Sequence, residues 1–178
     1  MNGSQTYLSG GALVCAALGA LSDVRRGRIP NWLTYGGVVA GLTLRGWLDG
    51  WAGAKDGLAA ILVGGGALFL FFAAGGMGAG DVKLMAAVGS WVGLKQTVVV
   101  MAATAFAGGI VAIGHMIFFR RVGSTVRNLW DLVRHHLAHG IQPHPELNLQ
   151  KPRSMRLPYG LAIALGTLYS FAATVWRG

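Results

Sequence analysis

The 178-residue chain has only six acidic side chains: Asp23, Asp49, Asp56, Asp81, Asp131 and Glu146. Two carboxylates held close together share one proton and titrate in two steps, and such a pair can activate water. A carboxylate inside an apolar helix can instead carry protons. Asp23 ends the first apolar stretch, and Asp81 begins another directly after a run of glycines. A carboxylate at a membrane edge is hydrated, paired or functional. From the two acids alone, helix capping or pairing with a nearby Arg or Lys stays open beside a shared site. Asp49 and Asp56 read as solvated charges of one loop, and Asp131 and Glu146 as solvated too.

The elements that must position Asp23 and Asp81 follow from composition. Apolar residues make up 53% of the chain and charged residues 12%, with a mean hydropathy of +0.52. A soluble domain carries roughly twice that charge. The apolar content excludes a disordered tail, and the single Cys15 excludes a disulfide scaffold or a Cys-rich zinc module. The formal net charge of +9 points, in so apolar a chain, to anionic lipid headgroups and not to nucleic acid.

A membrane-crossing helix needs about 20 apolar residues. Stretches 7–21, 32–48, 57–74, 96–119 and 158–176 approach this, and a shorter one covers 82–94. The short stretch reads as a span, a re-entrant piece or a part of the following span. Six spans put Arg25, Arg26, Arg28, Lys83, Arg120, Arg121, Arg127, Arg134, Lys151, Arg153 and Arg156 on one side, eleven of the fifteen basic residues. The positive-inside rule makes that side cytoplasmic. Within the long loop 120–157, Val126, Leu129, Trp130, Val133 and Leu137 recur at helical spacing opposite Arg127, Asp131, Arg134 and His135, with Ser124 or Thr125 as cap. This predicts an amphipathic helix in the interface. The expected fold is therefore all-α: one polytopic bundle, 1–178, of six transmembrane helices plus a cytoplasmic interfacial helix. Gly-Gly-Ala-Leu occurs at 10–13 and again at 65–68, too little to establish a repeat.

Two short runs surround the acids. Gly78-Ala79-Gly80-Asp81-Val82-Lys83 has the pattern G-x-G-D-x-K, in which glycines leave room for an extended backbone to approach the acid. Asp23 is followed by Ile29-Pro30-Asn31, a turn into the next helix. A third run, Arg156-Leu157-Pro158-Tyr159-Gly160, opens the last span.

Taken in order, the three runs resemble the type IV prepilin peptidase family, integral-membrane aspartic proteases of the G-x-G-D type, and the likeness covers essentially the whole chain. The resemblance implies that Asp23 and Asp81 are the catalytic pair. It implies cleavage of the leader peptide of prepilin-like and pseudopilin proteins at the cytoplasmic face of the bacterial inner membrane, without metal or organic cofactor. Gly78, Gly80, Lys83, Pro30, Asn31, Pro158, Tyr159 and Gly160 are the substrate-binding or supporting residues it implies. Larger members carry an N-terminal extension with four cysteines and also methylate the new N-terminus. The span beginning within the first ten residues and the single Cys15 resemble the short form of tight-adherence (Flp) pilus systems, for which methylation is not expected. Lys83 reads equally as a residue tuning Asp81 and as a snorkelling anchor.

Two other readings use the same acids. A small proton-coupled carrier would need carboxylates near the membrane midplane at broken helices, whereas these sit at one edge. A non-catalytic pilus-assembly protein would bind the same substrates without cutting them. Among the remaining candidates, His135 and His139 have zinc-compatible spacing beside His136 and His144, but no acid or cysteine completes a set, so a solvated face is expected. His115 reads as a packed, hydrogen-bonded histidine, Cys15 as a small core residue, and Trp32, Trp47, Trp51 and Trp176 as interfacial anchors.

Overall fold

A computed structural model of the chain describes residues 3–118, 130, 131, 134 and 159–176. Every regular element among these residues is helical: α1 (Gly3–Arg26), α2 (Asn31–Ala73), α3 (Ala79–Val92), α4 (Leu94–Phe118) and α5 (Tyr159–Trp176). Four of them, α1, α2, α4 and α5, are long and apolar enough to cross a membrane. Large apolar side chains such as Val39, Leu62, Phe106 and Ile110 point outwards from the bundle, as expected where lipid is the solvent. The protein is a multi-pass membrane protein.

At 43 residues, α2 would extend about 65 Å as one rod, twice the hydrocarbon thickness. It does not run straight. Gly50 (φ 66°, ψ −158°) lies in a backbone region open essentially only to glycine, and the chain doubles back there. A Cβ on Gly57 would lie 2.9 Å from Leu42 Cδ2, and one on Gly53 would lie 2.6 Å from the Arg45 carbonyl. Residues 31–49 and 51–73 are thus the second and third apolar stretches of the sequence, joined by a one-residue break and not by the expected loop.

Asp49 and Asp56 are accordingly helical, and their reading as solvated loop charges is corrected. Asp49 accepts hydrogen bonds from Ser4 Oγ and Gln5 Nε2, both at 3.3 Å, in the first turns of α1. Asp56 forms an ion pair with Arg45 at 2.5 Å and accepts the Leu94 N–H at 3.3 Å. Arg45 is only 5% exposed. Its remaining donors reach the carbonyls of Gly53 (3.2 Å) and Trp91 (2.8 Å). One guanidinium therefore joins both arms of α2, the end of α3 and, through Asp56, the start of α4. A buried charge persists when its donors are used in this way.

The shortest helix is the central one. α3 buries Leu84, Met85, Ala87, Val88, Gly89, Ser90 and Val92, nearly all round, as a helix surrounded by others must. Its 14 residues rise about 21 Å. It stops at Gly93, whose φ of +81° separates it from α4, so the 82–94 stretch is not fused with the next one. α1 packs on α5 through glycines, with Gly160 against Ala20 and Asp23 and Gly10 beside Phe171, and both helices bury mostly small residues, among them Ala12, Ala16, Gly19, Gly166, Ser170 and Thr174. Small residues let helices approach closely where no hydrophobic force drives them together. Cys15 is buried in this core, as expected.

Trp32, Trp47, Trp51 and Trp176 are all exposed, near helix ends. Trp130, Asp131 and Arg134 are helical, and Arg134 lies 5.8 Å from the Trp130 ring centroid. The remainder of the expected interfacial helix, His135, His136, His139, His144 and Glu146 fall outside the described residues. No group of three or more metal-ligating side chains occurs among the described residues.

Candidate active site

The two selected acids lie at the same end of the bundle, each beside a turn that the local sequence dictates. α1 ends because Gly27 takes φ +60° and donates its N–H to the Asp23 carbonyl at 2.7 Å, a left-handed helix stop. Arg25 and Arg26 occupy the last turn, where cations complement the helix dipole. Ser22 Oγ then donates to the Arg28 carbonyl at 2.8 Å and folds the connection back. Pro30 (φ −70°, ψ 140°) starts α2, and its carbonyl accepts the N–H groups of Leu33 and Thr34.

α3 is set up from the other side. α2 ends in a Schellman pattern, with Gly75 at φ +80°, Gly75 N–H on the Phe72 carbonyl and Gly76 N–H on the Phe71 carbonyl, both at 2.9 Å. Gly78 then serves as N-cap of α3. Its N–H donates to Asp81 Oδ2 at 3.3 Å, and its carbonyl accepts the Asp81 N–H at 3.2 Å. An acid in the first turn of a helix is also favoured by the helix dipole. Both Asp23 and Asp81 are half-buried.

Three contacts tie these turns together. Gly19 on α1 meets Leu84 on α3, where an added Cβ would come within 2.7 Å of Leu84 Cδ1. Asp23 lies one helical turn beyond Gly19, and Asp81 one turn before Leu84, so each acid projects past this contact towards the same end. Gly160 at the start of α5 is the second contact: its N–H donates to Asp23 Oδ2 at 3.1 Å. Its neighbour Tyr159 is within electrostatic reach of Asp81, with its hydroxyl packed against Gly108 of α4. The third is Ile29, which packs against Gly80 at 3.2 Å from the position of a Cβ. Gly80 therefore lets Ile29 pack closely against the start of α3.

Lys83 makes contacts that the sequence did not suggest. Its Nζ donates to Asn31 Oδ1 at 3.0 Å and lies 5.2 Å from the Tyr35 ring centroid. It joins the start of α2 to α3. Tyr35 had no place in the sequence reading. Its signal was its position one turn after Asn31 on the same helix face. Pro158, Arg156 and Leu157 lie outside the described residues. His115 belongs to α4.

Both acids are thus half-buried at one end of the bundle, on helices in direct contact. A model of the type IV leader peptidase family matches residues 11–113, more than half of the chain and the segment that carries both acids. The chain belongs to this family. It is similar to two curated relatives, each called prepilin leader peptidase/N-methyltransferase, from Burkholderia pseudomallei strains 1026b and K96243. Each is 36% identical over 124 residues, covering 58% of this chain and 38% of the relative. The chain thus matches well under half the length of these relatives. No solved structure matches it.

Proposed function

We propose that this family member is a membrane-embedded aspartic endopeptidase that removes the leader peptide from prepilin-like proteins, with Asp23 and Asp81 as its catalytic pair. The observation that carries this reading is the Gly19–Leu84 contact, one turn in from each acid, together with the Gly160 N–H of α5 that donates to Asp23. In the proposed reaction one carboxylate takes a proton from water as its oxygen attacks the scissile carbonyl. The other carboxylic acid donates a hydrogen bond to that carbonyl and then protonates it, and the tetrahedral intermediate collapses with a proton passing to the leaving amine. Lys83, Asn31, Pro30, Gly78, Gly80, Tyr159 and Gly160 support the pair by fixing the three helix ends.

The proposed topology has six membrane-crossing segments: α1, the two arms of α2, α3, α4 and α5, with an interfacial helix between the last two. The site end faces the cytoplasm of a bacterial inner membrane. Exposed Arg25, Arg26 and Arg28 at that end would rest on anionic headgroups. The test is incubation of the purified, reconstituted protein with a prepilin-like substrate, followed by mass spectrometry of the product. Leader loss is expected from the wild type. Asp23→Asn and Asp81→Asn should each insert and fold but cleave slower by about three orders of magnitude or more. Cleavage retained by either variant refutes the pair. Binding without cleavage by the wild type indicates an assembly protein, and proton flux in vesicles without cleavage indicates a carrier.

A further inference from the structure

We infer that Gly160 is a positioning residue for Asp23: its backbone N–H, delivered by the first turn of α5, fixes the carboxylate that the proposed reaction uses. This rests on the reading of Asp23 as half of the catalytic pair. Asp23 sits in the last turn of α1, where the helix's own carbonyl end disfavours a negative charge. The backbone N–H groups of a last turn are already used within the helix. A donor comes from 137 residues away, as the Gly160 N–H at 3.1 Å from Oδ2. That N–H belongs to the first turn of α5, whose amides have no partner within their own helix.

The approach requires glycine. A Cβ at position 160 would stand 3.1 Å from both Asp23 Cβ and Asp23 Oδ2, and 3.4 Å from Ala20 Cα. Two of those three atoms belong to the acid itself, so a side chain at 160 presses on Asp23 and asks it to give by a few tenths of an ångström. Gly160 is buried, so water does not replace the lost donor. With Oδ2 held by the amide, the carboxylate plane is set. Tyr159 anchors the same turn on Gly108 of α4. α5 is thus the third arm of the site, holding one acid by its backbone while it packs α4 with the neighbouring side chain.

The sequence offers a direct probe. Tyr-Gly pairs occur only at 35–36 and 159–160. Labelling tyrosine carbonyls with 13C and glycine amides with 15N therefore leaves two signals in a carbonyl-correlated spectrum of the reconstituted wild-type protein. A Cβ at Gly36 would meet nothing within 4 Å, so its amide is the internal control. One signal should shift with pH along the acid limb of the cleavage profile and lose that titration in Asp23→Asn, while the other stays still. Two signals that ignore both pH and Asp23→Asn overturn the inference.

Kinetics supply the second arm. Gly160→Ala should lower kcat roughly ten- to a hundredfold, leave KM within about twofold, and move the acid limb of the pH profile. Gly166→Ala is the packing control: its Cβ would collide with Thr104 and the Val100 carbonyl of α4, far from Asp23. It should lose thermal stability while the folded fraction keeps the wild-type pH profile. If Gly160→Ala behaves like Gly166→Ala, the inference fails while wild-type cleavage leaves the proposed function intact. If the wild type does not cleave, the proposed function fails, and the titrating amide still reports whether Gly160 holds Asp23.

Discussion

Replacing Arg45 with Met tests whether the end of the bundle opposite the acids is held by one guanidinium. Arg45 is 5% exposed and donates to the Gly53 carbonyl at 3.2 Å, the Trp91 carbonyl at 2.8 Å and Asp56 at 2.5 Å. Each carbonyl stranded by the change loses a charge-assisted bond, about 1.5 kcal/mol apiece at the low end. The Asp56 side chain is 40% exposed, so water partly solvates it, and the pair itself is discounted to about 1 kcal/mol. The total is about 4 kcal/mol, inside the range for breaking a buried pair from one side. For a chain of this size that corresponds to a fall in Tm of roughly 8–16 °C, read by thermal unfolding in a fixed detergent. Asp56→Asn keeps an acceptor for the Leu94 N–H but leaves Arg45 buried without its counter-charge, and should cost about 2 kcal/mol. Arg45→Met combined with Asp56→Leu should lose less than the sum of the single changes, because no charge is then left behind. A Tm within 2 °C of wild type for Arg45→Met, or full additivity in the pair, refutes the knot as a source of stability (about 1 kcal/mol being the detectable limit).

Lys83→Met and Asn31→Ala each remove the link between α2 and α3, and each should slow leader cleavage about three- to tenfold at unchanged KM; the double variant should be no slower than the worse single one, and independent effects in that cycle would refute a shared link. Gly50→Ala, forced to φ +66°, should destabilise by about 1–3 kcal/mol, whereas Gly36→Ala, where a Cβ meets nothing within 4 Å, should stabilise by a few tenths to about 1 kcal/mol; thermal unfolding of the two variants distinguishes them. Gly19→Val should wedge α1 from α3 one turn below the acids and lower the cleavage rate at least about tenfold, with partial recovery when Leu84→Ala is added; normal cleavage by Gly19→Val refutes the α1–α3 contact as what aligns the acids.

The chemistry-bearing end was legible because its signals are local. Asp23 is followed within seven residues by Gly27 and Pro30, and Asp81 is preceded by Gly78 and Gly80, so turn chemistry and acid lie in one window. The helical class and the boundaries near 26, 79 and 159 followed from hydropathy and those turns. The opposite end was misread because its partners are distant or of unexpected geometry. Residues 49–56 carry two acids, a lysine and two glycines, a composition that suits a loop, yet only Gly50 leaves the helix. Arg45 was the available signal: a cation within an apolar stretch calls for a partner, and Asp56 lies across the turn from it. The role of Lys83 needed coordinates, since the i, i+2 relation to Asp81 says only that the two side chains diverge, not that Asn31 and Tyr35 await the lysine.

The 29 glycines explain how so short a helix as α3 can hold Asp81 in register. Lipid offers no hydrophobic drive for helices to associate, so their spacing is set by how closely their backbones fit. Around α3, glycines on its neighbours meet it at successive levels: Gly19 at Leu84, Gly64 at Met85, Gly37 at Ala87, and Gly41 and Gly57 at Ser90. Gly89 returns the contact against the Ala60 carbonyl. A Cβ at Gly19 or Gly41 would fall within 3.0 Å of α3 atoms, and one at Gly57 or Gly64 within 3.2–3.3 Å, so the neighbouring helices fit α3 closely. A shift of α3 would act as a lever on Asp81, which sits at the end of the helix with its N-cap glycine half in the connecting turn. Asp23 is held differently, by an amide from α5 and by the Gly19 contact below it. The two acids thus depend on separate sets of glycines that share only the α1–α3 contact. Substitutions along α3's neighbours should therefore disturb Asp81 and leave the Gly160–Asp23 bond intact, while those at the start of α5 should do the reverse.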